Sequence, residues 1–325
     1  MISYLKNILK LISYILLKPI YRINKYRSRY IICSPRGGLN DTLNQIERCR
    51  RLCVISNRTL ILYTEESGLM NPFFNIFMTT NSFKVRCISF SKSDFLIKPQ
   101  ESNDLKIAKK LISHNHATWT RNNFHFKNGI QSRVIAKDAL GPEKFLLDIQ
   151  CGGGIDSFSI LKHLKFTSRF KKIINNEIAK LPHYYFAIHI RNTDMKTNYQ
   201  EFVQTIKDKV ADKTLVICTD DQKVAEFILS EMPNTNIITT PTLERAEGYP
   251  LHKTYHSGIK LIESKAEMFT SIRDTLIDLS ILAMSDKLFF TKNCNGNFSG
   301  FSLLANYLHS NPKLMDKLGI KRSKS

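Results

Sequence analysis

Four polar clusters combine residue types that suit a phosphorylated ligand. His189, Arg191 and Asp194 stand in His189-Ile190-Arg191-Asn192-Thr193-Asp194, where an apolar run from Tyr185 gives out. In a strand, alternation puts His189 and Arg191 on one face, opposite Ile188 and Ile190. A guanidinium leaving a strand end can grip a diphosphate through two N–H bonds. A surface ion pair between Arg191 and Asp194 is the plainer alternative. In Arg36-Gly37-Gly38-Leu39-Asn40-Asp41, paired glycines let backbone N–H groups approach a ligand at a helix N-terminus, although a structural turn reads equally well from the same residues. Thr219-Asp220-Asp221 offers adjacent carboxylates to ribose or base groups, or else an N-cap. Asp278 is set among Leu276, Ile277, Leu279, Ile281 and Leu282, so its carboxylate requires a partner. A guanine-like edge would supply two donors; a buried salt bridge is the alternative. Asn297-Phe298-Ser299-Gly300 follows at a helix start.

These clusters need elements to hold them. Tyr30-Ile31-Ile32-Cys33 reads as a buried strand that turns at Ser34-Pro35-Arg36-Gly37-Gly38 into a helix over 40–56. Arg58 to Tyr63 reads as the next strand, and this β–loop–α–β unit requires a parallel sheet. Further strands are expected at 85–90 and 145–149, the latter running into Cys151-Gly152-Gly153-Gly154. A basic helix is expected over 160–179, ended by Pro182. Strands then alternate with helices: 185–190, 199–210, 215–218, 222–230, 236–239, 272–284, 288–290 and 298–308. The pattern is an α/β chain of two Rossmann-like domains facing across a cleft, and ligands of such sheets bind at the carboxyl ends of strands. The domain expectation is a segment 1–29, an N-terminal domain over 30–165 and a C-terminal domain over 166–325.

Composition sets the bounds. A chain of 325 residues with 42% hydrophobic and 23% charged residues is globular and long enough for two domains. The net charge of +20 attracts phosphates, anionic lipid or nucleic acid without choosing among them. The basic residues are dispersed and no basic-aromatic reading motif appears, so no nucleic-acid partner is expected. Of the seven cysteines only Cys49 and Cys53 are close, and no second pair completes a zinc site, so no metal is expected. An odd number of single, mostly apolar-flanked cysteines fits a reducing cytoplasm. In residues 1–29 the uncharged run Leu11–Leu17 is far short of the roughly 20 residues that span a bilayer. Leu5, Ile8, Leu9, Ile12, Ile15 and Leu16 recur at helical spacing beside Lys6 and Lys10, with a basic, aromatic flank from Tyr21 to Arg29. Such a helix suits an anionic membrane surface or, alternatively, the protein's own core.

In this order, the clusters resemble the GDP-fucose-dependent fucosyltransferases of the α1,6 and nodulation type, over residues 30–308. His189 through Asp194 is similar to the family's His-x-Arg-Arg-Thr-Asp signature, and Ile217 through Asp221 to its Ala-Thr-Asp-Asp strand end. Asp278 through Asp286 resembles its Asp-(x)-Leu-(x)-Asp helix, and Phe298-Ser299 its closing serine loop. The resemblance implies a GT-B fold and an inverting, metal-independent transfer with no cofactor. The donor, GDP-fucose or another nucleotide sugar, would be held mainly by the C-terminal domain, and the N-terminal domain would face the acceptor. Arg191 would bind the β-phosphate, with Ser299 and Phe298 beside the phosphates and Asp278 on the guanine. His189, Asp194, Asp220 and Asp221 would shape or support the nucleoside pocket. Asn192 replaces the family's second arginine, so Arg36 at Gly37-Gly38 is the substitute expected at the phosphates. Tyr199 stands where the family has its glutamate base, which leaves the nearby Glu201 as the expected catalytic carboxylate beside Arg191. The expected setting is bacterial lipopolysaccharide or capsule synthesis on a glycan or lipid-linked acceptor. The expected place is the cytoplasmic face of the plasma membrane.

Overall fold

The computed structural model describes residues 29–89, 106–107, 118–120, 123–125, 133–149, 152–240, 242 and 265–321. Residues 1–28, where the amphipathic helix is expected, lie outside the described residues.

Two parallel four-stranded sheets organise the chain. The first contains β1 (Tyr30–Cys33), β2 (Thr59–Leu62), β4 (Cys87–Ser89) and β7 (Phe145–Asp148), in the order β4-β2-β1-β7. The second contains β9 (Phe186–Ile190), β10 (Thr214–Thr219), β11 (Asn236–Thr239) and β12 (Lys287–Phe290), in the order β11-β10-β9-β12. Among the described residues two short antiparallel pairs complete the strands: β3 (Phe77–Thr79) with β8 (Leu164–Phe166), and β5 (Thr118–Thr120) with β6 (Asn123–His125). Among the described residues the helices are α1 (Leu39–Ser56), α2 (Phe73–Ile76), α3 (Ala136–Leu140), α4 (Asp156–Leu161), α5 (Ser168–Ile178), α6 (Tyr199–Val210), α7 (Gln222–Glu231), α8 (Lys265–Met284), α9 (Gly300–His309) and α10 (Pro312–Leu318). Among the described residues no helix is long and apolar enough to cross a membrane.

Both central strands are buried on both faces, as a parallel sheet covered by helices requires. Ile31, Ile32 and Cys33 of β1 are fully buried, and every residue of β9 is buried. In β9 alternation sorts the two faces. Phe186, Ile188 and Ile190 pack with Val203, Ile206, Val224 and Ile228 beneath α6 and α7. Ala187 points the other way, into a core that also takes Ile31, Leu43 and Ile46 of the first half and Leu276 and Leu282 of α8. One continuous apolar core therefore runs behind both sheets. Phe158 of α4 stacked on Tyr307 of α9, with ring centroids 4.3 Å apart, reinforces it.

The basic helix expected over 160–179 is broken. α4 ends at Leu161, residues 164–166 form β8, and α5 begins at Ser168. Leu164 and Phe166 are buried and Lys165 is exposed, which is strand alternation hidden in a basic stretch. Pairing with β3 and the stacking of Phe77 on Phe166, centroids 5.2 Å apart, override the local helical pattern. The six described cysteines are free thiols.

Candidate functional site

A cavity of about 290 Å³ opens where the two halves meet. It lies at the carboxyl ends of strands in both sheets. β1 leads through the turn at Gly37, whose φ of +93° lies in the left-handed region, to Gly38 at the start of α1. β9 delivers His189 and Arg191, and β10 delivers Thr219 and Asp220. Gly300 and Phe301, the first residues of α9, also line it, as do Thr275 and Asp278 of α8. Two helix N-termini, those of α1 and α9, therefore converge on one space. The N–H groups and dipole of a helix N-terminus favour negative charge there.

Arg191 is held in place by carboxylates. Its Nε lies 2.8 Å from Asp194 Oδ1 and 3.9 Å from Asp220 Oδ2, and its side chain is 19% exposed. The Arg191–Asp194 ion pair read from the sequence is thus present, but in the cavity wall rather than on open surface. Asp220 accepts from Asn192 N–H at 2.8 Å and from the Thr193 hydroxyl at 2.5 Å, fixing the loop after β9 to the end of β10.

His189 is buried and neutral. Burial, and then the nearby Arg191 charge, push its pKa down to about 3. Its Nδ1 is 2.7 Å from the Ser302 hydroxyl, which is 2.9 Å from Ser299 Oγ. Ser299 caps α9 by accepting from Ser302 N–H at 3.0 Å. His189 therefore fixes the N-terminus of α9 relative to β9. Asp278 is 4% exposed and lies deep in the cavity wall, and its charge helps burial to push the Cys218 thiol pKa up.

Of the residues expected from sequence, Gly38, His189, Arg191, Asp194, Asp220 and Asp278 line this cavity. The others lie elsewhere. Arg36 turns to Glu66, pairing with its carboxylate and donating to its carbonyl at 3.1 Å. Asp221 caps α7, accepting from Lys223 N–H at 3.0 Å. Phe298 packs edge-on against Phe290, and Ser299 lies behind the wall as the cap of α9. Glu201 is exposed in the first turn of α6, accepting from the Asn198 amide at 2.6 Å. Asn192 points away from the cavity. Its amide donates to Asp221 at 2.8 Å and its carbonyl accepts from Thr197 N–H at 3.0 Å.

Sequence reasoning passed over Asp41, Thr275 and Phe301, all in the wall. Asp41 ends the cluster Arg36–Asp41, but a first-turn aspartate reads as routine complement to a helix dipole. Burial raises the Asp41 pKa, opposed by a hydrogen bond from Gly38 and by the charge of Arg191. Among the described lining residues one guanidinium faces four carboxylates, Asp41, Asp194, Asp220 and Asp278. That balance disfavours a long polyanion such as a nucleic-acid backbone. It suits a ligand with a compact anionic centre flanked by hydroxyl and N–H donors.

Comparison with solved structures identifies the architecture. NodZ α-1,6-fucosyltransferase co-crystallised with GDP superposes with a TM-score of 0.53 at 15% identity, over 86% of this chain and 92% of that one. NodZ soaked with GDP-fucose gives 0.53 at 14% identity, over 87% and 93%. Fucosyltransferase NodZ from Bradyrhizobium gives 0.50 at 15% identity, over 86% and 92%. The chain has a GT-B fold. The GT-B cleft between the two sheets is the cavity described above. No protein-family model matches the sequence, and no curated protein matches it. Among the described residues no group of three or more His, Cys, Asp or Glu side chains is arranged to hold a metal ion.

Proposed function

We propose that the protein is an inverting, metal-independent glycosyltransferase that moves L-fucose from GDP-fucose to a glycan hydroxyl. The observation that carries this reading is the convergence of Arg191 and the N-termini of α1 and α9 on one cavity, with the Asp278 carboxylate in the same wall. The guanidinium and the helix ends receive the diphosphate and stabilise the charge that develops on it as it leaves. Asp278 accepts from the N–H groups of guanine. Asp220 and Asp194 orient Arg191, and neutral His189 holds α9 in register. The likeness to NodZ structures obtained with GDP and GDP-fucose supports the choice of donor. The acceptor in this reading is a lipid-linked saccharide of bacterial lipopolysaccharide or capsule synthesis. The protein would meet it at the cytoplasmic membrane face, with residues 1–29 as the membrane contact.

The test is thermal-shift titration of wild type and Arg191→Ala with GDP-, UDP-, dTDP- and CMP-sugars, since a ligand that binds only the native state raises its stability. The expected result is stabilisation of wild type by GDP-fucose above the others. Arg191→Ala should weaken binding by about 10- to 100-fold, the loss of a charged hydrogen-bonding partner. Unchanged affinity in a folded Arg191→Ala protein would rule out this phosphate site.

A further inference from the structure

Three of the four carboxylates in the cavity wall come from the C-terminal half. Asp194 and Asp220 are committed to Arg191 and its loop, and Asp278 lies in α8. Asp41 alone of the four comes from the N-terminal half, in the first turn of α1. Its Oδ2 accepts from Gly38 N–H at 3.3 Å, which is long for a bond to a carboxylate. Its Oδ1 faces the exposed stretch Gly152-Gly153-Gly154: a Cβ placed on Gly153 would lie 3.3 Å from that oxygen. Side-chain-free backbone therefore runs beside the carboxylate, leaving room for an approaching hydroxyl. Glu201, the carboxylate expected from sequence, does not reach this space.

We propose that Asp41 is the general base of the transfer, taking the proton of the acceptor hydroxyl that approaches past Gly153. The assignment rests on the glycosyltransferase reading above. In the step, the acceptor O–H bond breaks and its proton moves to Asp41 Oδ1. The oxygen forms a bond to C1 of the sugar. The C1–O bond to the β-phosphate breaks, and its electron pair leaves on GDP towards Arg191 and the helix N-termini. Burial makes the Asp41 carboxylate more basic than an ordinary aspartate, while Gly38 and Arg191 limit the rise.

Asp41→Asn tests this, because its side-chain oxygen can still accept from Gly38 N–H. The measurements are GDP-fucose affinity, GDP release with water as acceptor, and fucosyl azide formation with sodium azide, a nucleophile with no proton to lose. General-base assistance is worth about 10²- to 10⁴-fold. The expected result is a loss of that size in hydrolysis, with GDP-fucose affinity within threefold of wild type and azide transfer retained. The acid limb of the wild-type hydrolysis profile should also vanish in the variant. Hydrolysis at the wild-type rate would overturn the proposal, as would azide transfer falling in parallel with hydrolysis. Failure of wild type to bind GDP-fucose is a separate result, which removes the donor reading and this assignment with it.

Discussion

His189 Nδ1 lies 2.7 Å from the hydroxyl of Ser302, and that contact locks the end of β9 to the first turn of α9. The imidazole is buried and its pKa is pushed down to about 3, against about 6.5 in an unfolded chain. Between pH 6.5 and 3 the unfolded chain takes up a proton here that the folded protein refuses. Stability contributed at this site is thus present above pH 6.5 and lost as pH falls, by at most about 1.4 kcal/mol per pH unit. In His189→Gln the denaturation midpoint should fall less steeply over this window than in wild type. Parallel midpoint–pH curves for the two proteins would contradict a neutral buried histidine.

Asn192 serves the loop and not the cavity. Its side chain bridges Asp221 and Thr197 while buried to 6% exposure. Asn192→Ala should destabilise the protein by about 2–3 kcal/mol, because it leaves buried partners unsatisfied. Asn192→Arg should be no better, since a guanidinium would be forced into the same enclosed loop. Chemical denaturation gives the stability, and GDP titration of Asn192→Arg gives the affinity. A tighter GDP complex in a stable Asn192→Arg protein would show that position 192 reaches the phosphates.

The strand ends were legible because β1, β9 and β10 are short, nearly unbroken apolar runs that stop at polar residues, and a parallel sheet puts such stops on one edge. That logic finds Gly38, His189, Arg191 and Asp220 from sequence alone. It fails where a side chain's direction depends on distant partners. Arg36 follows a strand as Arg191 does, but Glu66 draws it aside. Phe298 and Ser299 sit two and one residues before Gly300, which lines the cavity while they support it. β8 was hidden because its pairing partner, β3, lies more than eighty residues away. Asp41 was hidden because nothing local separates a capping carboxylate from one that faces a cleft.

Gly68 closes the cavity by packing backbone on backbone. A Cβ there would lie 2.3 Å from Gly38 C and from Leu39 N, at the very start of α1. Gly68 N–H also donates to Thr42 Oγ1 at 3.1 Å. Neither backbone can yield as a flexible side chain would. Gly68→Ala should therefore cost about 3 kcal/mol, the upper part of the usual overpacking range, and weaken GDP binding by displacing the α1 N-terminus. Urea denaturation and GDP titration on the same sample would measure both. A Gly68→Ala protein as stable as wild type would mean that the turn preceding Met70 moves freely against α1.

Asp278 is the residue on which base selectivity should turn. A carboxylate accepts only, so at 4% exposure it fits an edge that presents two N–H donors, as guanine does. Asn at this position keeps the shape but replaces one acceptor oxygen with a donor NH₂, which would meet a guanine N–H head-on. Hydrogen bonds to a charged group are worth about 1.5–3 kcal/mol, so Asp278→Asn should lose about 10- to 100-fold in GDP affinity. UDP, whose base edge presents carbonyl acceptors, should lose little, and the ratio of GDP to UDP affinity should collapse. Calorimetric titration with both nucleotides separates this from general damage. If GDP and UDP affinities fell together, Asp278 would be supporting the wall rather than reading the base. If the GDP-to-UDP ratio alone falls, the buried aspartate of α8 is where guanine is recognised.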